Sequence, residues 1–426
     1  MPRIVKLPLL LGLWFSGWAL LAQSPTPSQF LLHDGDVVVF YGDSITEQRL
    51  YTAGIENFLL TRFPDRHVRF VNSGVSGDKV SGGIAGPIDF RLRRDVYAYR
   101  PTMITVMLGM NDGYYRPFDD GILMTYSDGY RHLVEQMQIE LPKAGITLLK
   151  PSPYDDVTRD PDFATGYNAT MIRMGDFVGK LAEEKRLLVA DLNRSVVEAL
   201  TAAKAADAVL SPALIRDRVH PGPGIHWVMA ATVLKAWNAP SVVTSARIEA
   251  VHGKVSDASN TDISQLLRTK AGLTWRQSDH ALPLPLPAAE SDPLTELVVR
   301  VSDLNQSLNQ EMLRVDGLSE GRYQLQIDER PVGTFTAAQL AVGINLATLD
   351  TPMLAQARIV AFDTTQKNDI ESNRFLIAND ARDAKAEGLV KRLGPAIDHA
   401  AERQRKDAQP VLHRYALVRT TIGTAK

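Results

Sequence analysis

The sequence predicts an α/β protein: a parallel sheet flanked by helices in three layers, followed by a β-rich region and a helical tail. Three observations predict this. Between residues 37 and 240, apolar runs alternate with segments of helical period, the grammar of strand and covering helix in turn. Those runs are apolar without alternation, as in strands buried on both faces. Beyond residue 241 the pattern switches to apolar and polar residues in strict alternation, punctuated by Gly, Pro, Asp and Asn, which reads as antiparallel strands.

The elements follow in order. Arg3 and Lys6 precede an apolar run from Leu7 to Ala22, and polar "QSPTPSQ" follows; residues 1–22 therefore read as a secretory signal removed after Ala22. The run is shorter than the roughly 20 residues of a membrane span. Leu20 stands where a small side chain is preferred, so a retained anchor stays open. The expected strands are "VVVFY" (37–41), "VRFVN" (68–72), "MITVML" (103–108), "ITLLK" (146–150) and "LLVADL" (187–192). A helix is expected over 165–184, where Tyr167, Met171, Met174, Val178 and Leu181 share one face. These elements make up a domain over 31–240. The region 241–352 contributes the alternating segments "VTSARIEAVHG", "LTWRQSD", "MLRVDGL" and "RYQLQID", interrupted by an extended connector, "LPLPLPAAESDP" (282–293). From 353 to 426, Ala, Lys, Arg and Glu dominate, which predicts helices, with the charge run "HAAERQRKD" as a solvated face.

Composition narrows the function classes. The chain has 426 residues, a net charge of −2 and 23% charged residues, the profile of a globular protein longer than one core usually serves. Acidic and basic residues are interspersed, so nucleic acid is not an expected partner, and no stable membrane insertion is expected. There is no cysteine, so an exported chain must draw its stability from its core and not from disulfides.

The chemistry concentrates in four short stretches. "GDSIT" (42–46) follows the first strand, "NSGVSGD" (72–78) the second, "GMND" (109–112) the third, and "DRVH" (217–220) precedes a helical segment. In open parallel sheets, ligands bind beyond the C-terminal strand ends. Each stretch also has a purely structural reading. Ser44 with Glu47 fits a capping box, in which the serine side chain starts the helix. Gly74 and Gly77 fit turns of positive φ, Asn111 fits a helix cap, and Asp217 fits a cap before Pro221. The ordered set of four after successive strands favours catalysis, with Ser44 free to cap and to attack.

In order and spacing these stretches resemble the four blocks of the SGNH or GDSL-type serine hydrolases, over residues 36–238. The resemblance implies a flavodoxin-like three-layer fold and ester hydrolysis without a cofactor or metal. It implies Ser44 as nucleophile, His220 as general base and Asp217 as the carboxylate that fixes the imidazole tautomer. It further implies an oxyanion hole built from the backbone N–H groups of Ser44 and Gly77 and the side-chain amide of Asn111. Other readings fit less well. Thr46 stands where the elbow G-x-S-x-G requires glycine, and no phosphate-binding glycine loop is present. Asp217, His220 and His226 could be imagined as metal ligands, but His226 falls inside the expected following helix. His33, His132, His252 and His413 lack any partner pattern.

The substrate is less legible. The resembled family spans polysaccharide deacetylases, lysophospholipases, lipid esterases and thioesterases. An exported esterase with an added β-rich region points to an O-acetylated carbohydrate, with Tyr41, Tyr51, Tyr114, Tyr115, Tyr154 and Trp227 near the signatures as a potential sugar platform. A short-chain or lipid esterase, and a non-catalytic glycan-binding protein on the same fold, remain as alternatives. No amphipathic lid segment is evident.

Overall fold

The structure is a computed structural model that describes residues 29–287, 292–380 and 384–420. The expected signal, residues 1–22, lies outside the described residues, as do residues 288–291 of the connector. Among the described residues no helix is long and apolar enough to cross a membrane.

Five strands form the parallel sheet: β1 (Val37–Gly42), β2 (Arg69–Gly74), β3 (Met103–Met107), β4 (Gly145–Lys150) and β5 (Leu188–Asp191). Their order is β2-β1-β3-β4-β5, with Val38 opposite both Phe70 and Met103. Val38, Val39, Ile104, Val106, Leu148 and Leu149 are buried, which is why these strands read as continuous apolar runs. The helices are α1 (Ser44–Glu47), α2 (Leu50–Arg62), α3 (Ile88–Asp95), α4 (Asp120–Glu140), α5 (Asn168–Lys185), α6 (Leu192–Ala206) and α7 (Pro223–Ala236). The chain runs one way from β1 to β2 and the other way from β3 to β5, and right-handed crossovers then put helices on both faces. Accordingly α2 packs on α7 and α7 on α6, whereas α3 packs on α4 and α4 on α5. The reversal of direction lies at β1, so the loops after β1 and β3 open at the switch point of the sheet, where ligands bind.

The β-rich region departs from the expectation in two ways. Its strands were all expected to pair antiparallel, yet Val242–Glu249 and Gln310–Asp316 run parallel, with Leu313 opposite Ala246. The long connection between them, including the helix Pro293–Val301, is ample for the crossover that parallel pairing requires. The segment from 353 was expected to be helical throughout, but Leu412–Arg419 is a strand. It inserts between Gly272–Asp279 and Arg322–Ile327, antiparallel to both, with Tyr415 opposite Trp275 and Leu417 opposite Leu325. Its alternation buries His413, Tyr415 and Leu417. The two sheets of this region enclose a second core containing Ile248, Trp275, Val315, Leu325 and Tyr415, in which the rings of Trp275 and Tyr415 stack at 5.0 Å. The connector has no regular secondary structure from Leu282 to Leu286, all of it buried, and the Leu286 N–H donates to the Leu284 carbonyl at 2.8 Å.

Two long helices, Pro352–Asp380 and Ala384–Asp407, pack on each other, and the first also packs on α2. The charge run 399–407 lies on the second helix, where Glu402, Arg403 and Lys406 are exposed. Its face is not wholly solvated, since Ala400 and Gln404 are buried. Gln404 donates to Glu56 of α2, which pairs with buried Lys367.

Candidate active site

The first loop is set by Asp43. Its side chain accepts a hydrogen bond from the Ile45 N–H at 3.0 Å, making Asp43 the cap of the one-turn helix α1. The capping box centred on Ser44 is therefore corrected: Ser44 is the first residue inside the helix, and Glu47 takes a hydrogen bond from the Ser76 hydroxyl. The aspartate sits one residue earlier with an extended backbone, the geometry a cap needs, and this leaves the Ser44 hydroxyl without a structural partner in its own loop. Chain direction then breaks at Arg49, which has φ +63°, before α2 begins.

The second loop is held against the first. Asn72 donates to the Thr46 carbonyl at 2.7 Å. Gly74 lies so close to α1 that a Cβ there would come within 2.3 Å of the Glu47 backbone nitrogen, so its absent side chain is a packing requirement. Gly77 differs: a Cβ would meet nothing within 4 Å, but its φ is +74°, a conformation glycine adopts without penalty. Next to it, Asp78 is pinned by the wholly buried Arg91, whose Nε and Nη2 donate at 3.0 and 2.9 Å. Arg91 also pairs with Asp95 and donates to the Ser73 carbonyl.

The third loop meets the second through Asn111, whose Nδ2 donates to the Asp78 carbonyl at 3.1 Å. Asp112 accepts from the Val80 N–H at 3.0 Å. The fourth loop carries Asp217 and His220. Asp217 Oδ1 accepts from the N–H groups of Val219 and His220 at 3.0 and 2.8 Å, and Oδ2 lies 2.6 Å from His220 Nδ1. His220 Nε2 is 2.8 Å from Ser44 Oγ. Between them Arg218, at φ +68°, anchors the loop by donating to the Asp155 and Asp160 carbonyls.

The structure thus brings Ser44, His220 and Asp217 into one line, and attaches Gly77 and Asn111 through Asp78. It does not bring in His226, which is buried in α7, lies 2.9 Å from Gln48 Oε1 and stacks on Tyr51. Among the described residues no group of three or more His, Cys, Asp or Glu side chains is arranged to hold a metal ion. Of the aromatic residues near the signatures, Tyr41 and Tyr51 are fully buried and belong to the core. Tyr114 and Tyr115 are exposed, whereas Tyr154 and Trp227 are half-buried.

Electrostatics separate the acids. Partial burial works against the Asp217 charge, but the His220 N–H, the His220 ring and the Val219 N–H outweigh it and hold the carboxyl below its ordinary range. Asp43 and Asp112 behave oppositely: burial pushes each up to about 7, against the pull of backbone N–H groups, chiefly that of Ile45 on Asp43 and that of Val80 on Asp112. Burial drives His226 down to about 3, so its ring is neutral. The roles of Asp43 and Asp112 escaped sequence reasoning, although the run G-D-S after a strand contained the signal for a cap.

Residues 40–228 match the model of the GDSL-like Lipase/Acylhydrolase family. They form a domain of that family. The chain is accordingly a carboxylic ester hydrolase. It is 28% identical over 221 residues to an acetylxylan esterase of Geobacillus stearothermophilus, covering 47% of this chain and 93% of that protein. Among solved structures, a gut microbial diltiazem-metabolizing enzyme is similar over 91% of this chain and 98% of its own, with 25% identity and a TM-score of 0.79. That similarity takes in the β-rich region and the long helices as well as the hydrolase sheet. The crystal structure of the Geobacillus stearothermophilus acetylxylan esterase covers 49% of this chain and 96% of its own, at 27% identity and a TM-score of 0.40.

Proposed function

We propose that the protein is an exported serine esterase that removes O-acetyl groups from carbohydrate through an acyl-enzyme. Ser44 Oγ attacks the ester carbonyl while His220 Nε2 takes its proton, and Asp217 holds the imidazole in the tautomer that can do so. The N–H groups of Ser44 and Gly77 and the Asn111 amide donate to the oxyanion. His220 then returns its proton to the departing sugar hydroxyl, and water, activated by the same imidazole, releases acetate from Ser44. The observation that carries this reading is the unbroken run from Asp217 Oδ2 to His220 Nδ1 at 2.6 Å and from His220 Nε2 to Ser44 Oγ at 2.8 Å. The acetylxylan esterase relative supports the acetylated-carbohydrate class. Export rests on the signal-like sequence of residues 1–22.

The test is p-nitrophenyl acetate hydrolysis by wild type, Ser44→Ala and His220→Ala, followed by acetate release from acetylated xylan, pectin and peptidoglycan beside acyl esters of increasing length. Loss of the base is expected to lower kcat by about 100- to 10,000-fold, and Ser44→Ala to lower it at least as far. Undiminished activity in Ser44→Ala removes Ser44 from the mechanism, and equal inactivity of all three proteins favours a glycan-binding role. A preference for long acyl chains overturns the carbohydrate reading. The similarity to a diltiazem-metabolizing enzyme favours a second reading, an esterase of small acylated molecules, which release from p-nitrophenyl acetate but from none of the polymers would support.

A further inference from the structure

We infer that Tyr115 is a positioning residue for the oxyanion-hole amide, holding Asn111 so that its Nδ2 faces the reacting carbonyl; this rests on the proposed role of Asn111.

An asparagine amide is useful in such a site only in one of its two flips, because Oδ1 would repel an oxyanion where Nδ2 donates to it. Asn111 is held at both ends. One Nδ2 hydrogen goes to the Asp78 carbonyl at 3.1 Å, and Oδ1 accepts from the Tyr115 hydroxyl at 2.8 Å. The second Nδ2 hydrogen is left for substrate. A flip would set Oδ1 against the Asp78 carbonyl and turn the Nδ2 toward a hydroxyl that would have to rotate its own proton away. The Tyr115 contact therefore fixes the far end of an amide whose near end the carbonyl already holds.

The backbone around Tyr115 is shaped to deliver this contact. Tyr114 and Tyr115 both have φ +54°, a region uncommon for any residue with a Cβ and unfavourable for bulky ones. Two successive such residues reverse the chain just past Asn111 and bring a side chain four positions on back to the amide. The ring is braced from beneath: Tyr115 lies 5.2 Å from Tyr167 and 6.3 Å from Tyr154, centroid to centroid. Tyr167 in turn donates to the Met110 carbonyl at 2.7 Å, tying the brace to the residue before Asn111. Gly113 allows this approach, since a Cβ there would sit 2.4 Å from the Tyr167 hydroxyl. Partial burial pushes the Tyr115 hydroxyl up to about 12, so it keeps its proton over the working range of an esterase.

The experiment is a double-mutant cycle on p-nitrophenyl acetate hydrolysis with Tyr115→Phe, Asn111→Ala and the double variant, each checked by thermal unfolding. Phe keeps the ring contacts with Tyr154 and Tyr167, so the folded protein should be recovered. Tyr115→Phe is expected to lower kcat by about 3- to 10-fold, the worth of one neutral hydrogen bond, with KM unchanged. Asn111→Ala is expected to lower kcat by about 100- to 1000-fold. In the Asn111→Ala background, Tyr115→Phe should then change kcat by less than about twofold. Equal losses in both backgrounds, or a loss confined to KM, overturn the inference, because either result makes Tyr115 act independently of the amide. Full activity in Asn111→Ala is a different failure: it removes Asn111 from the oxyanion hole, and the inference with it.

Discussion

Among the described residues, two of the buried ionic networks hold different things. Beneath the candidate active site, Arg91 meets Asp78 and Asp95, with its guanidinium carbon 4.9 Å from the centroid of the Tyr41 ring. Between α2 and the long helices, Lys367 meets Glu56, with Gln404, Thr364 and Asn57 completing the cluster. Both must offset the desolvation of their charges. The planar fork of arginine fixes Asp78 through two nitrogens and reaches Asp95 and the Ser73 carbonyl with the rest, so it sets the orientation of the loop that carries Gly77. The ammonium of lysine is a point charge and imposes no plane. It neutralises Glu56 at a boundary between elements 311 positions apart, with Glu371 3.9 Å from the same ammonium. The comparison teaches that burial of an ion pair by itself says nothing about function; what the pair's geometry constrains decides it.

The sharpest way to break this contrast is Arg91→Met. It strands the buried Asp78 carboxylate, while Asp95 keeps its pair with Arg94, and is expected to lower unfolding stability by about 3–5 kcal/mol, read by denaturant titration, together with a fall in kcat as the Gly77 loop loosens. A variant that is destabilised yet fully active would sever the network from the site. Lys367→Met should destabilise by about 3 kcal/mol for the same reason, but leave kcat and KM of the folded protein within about twofold of wild type. Replacing both members, Lys367→Met with Glu56→Leu, should restore much of that stability, since a well-packed apolar pair often equals a buried ionic one.

A finer separation comes from pH. Burial raises the folded-state pKa of Asp43 to about 7, whereas the unfolded carboxyl titrates near ~3.9. Between these values the native state keeps a proton that the unfolded state has released, so this group subtracts stability as pH rises from about 4 to about 7, with no further change above. Asp43→Asn retains an acceptor for the Ile45 N–H and removes the titration. Its thermal midpoint should therefore fall less than that of wild type over this window. Asp112 and the other acids that burial holds above their ordinary range, among them Glu311 and Glu371, contribute to the remaining slope, and an unchanged profile in Asp43→Asn would assign the whole of it to them. The smallest expected effect is at Gly77→Ala. With open space around the Cβ position and φ at +74°, the cost should be about 1 kcal/mol of backbone strain. A much larger loss would mean that the loop Arg91 holds cannot relax at all.

The hydrolase sheet was legible because each strand in it is a compact apolar run and follows the last through a crossover that carries a helix of its own period. Continuous apolar runs at 37–41 and 103–108 announced buried strands, and the positions of Ser44, Gly77 and Asn111 after successive strands followed from order alone. The β-rich region was less legible for a physical reason: its partners are distant. Nothing local in "VTSARIE" says that it pairs parallel with "MLRVD", and "LHRYALVR" lies in a helix-rich stretch although its period of two was there to be read.

By itself the sequence determined the kinds of group available, their order along the chain and the periodicity of the elements between them, since these depend on side-chain chemistry and local backbone preference. Only the tertiary structure decided that Asp43 and not Ser44 caps α1, that His220 reaches across 176 positions to within 2.8 Å of Ser44, and that Asn111 is held from both ends. Those outcomes depend on distances between segments remote in sequence, and such distances are set by packing of the sheet and its helices as a whole.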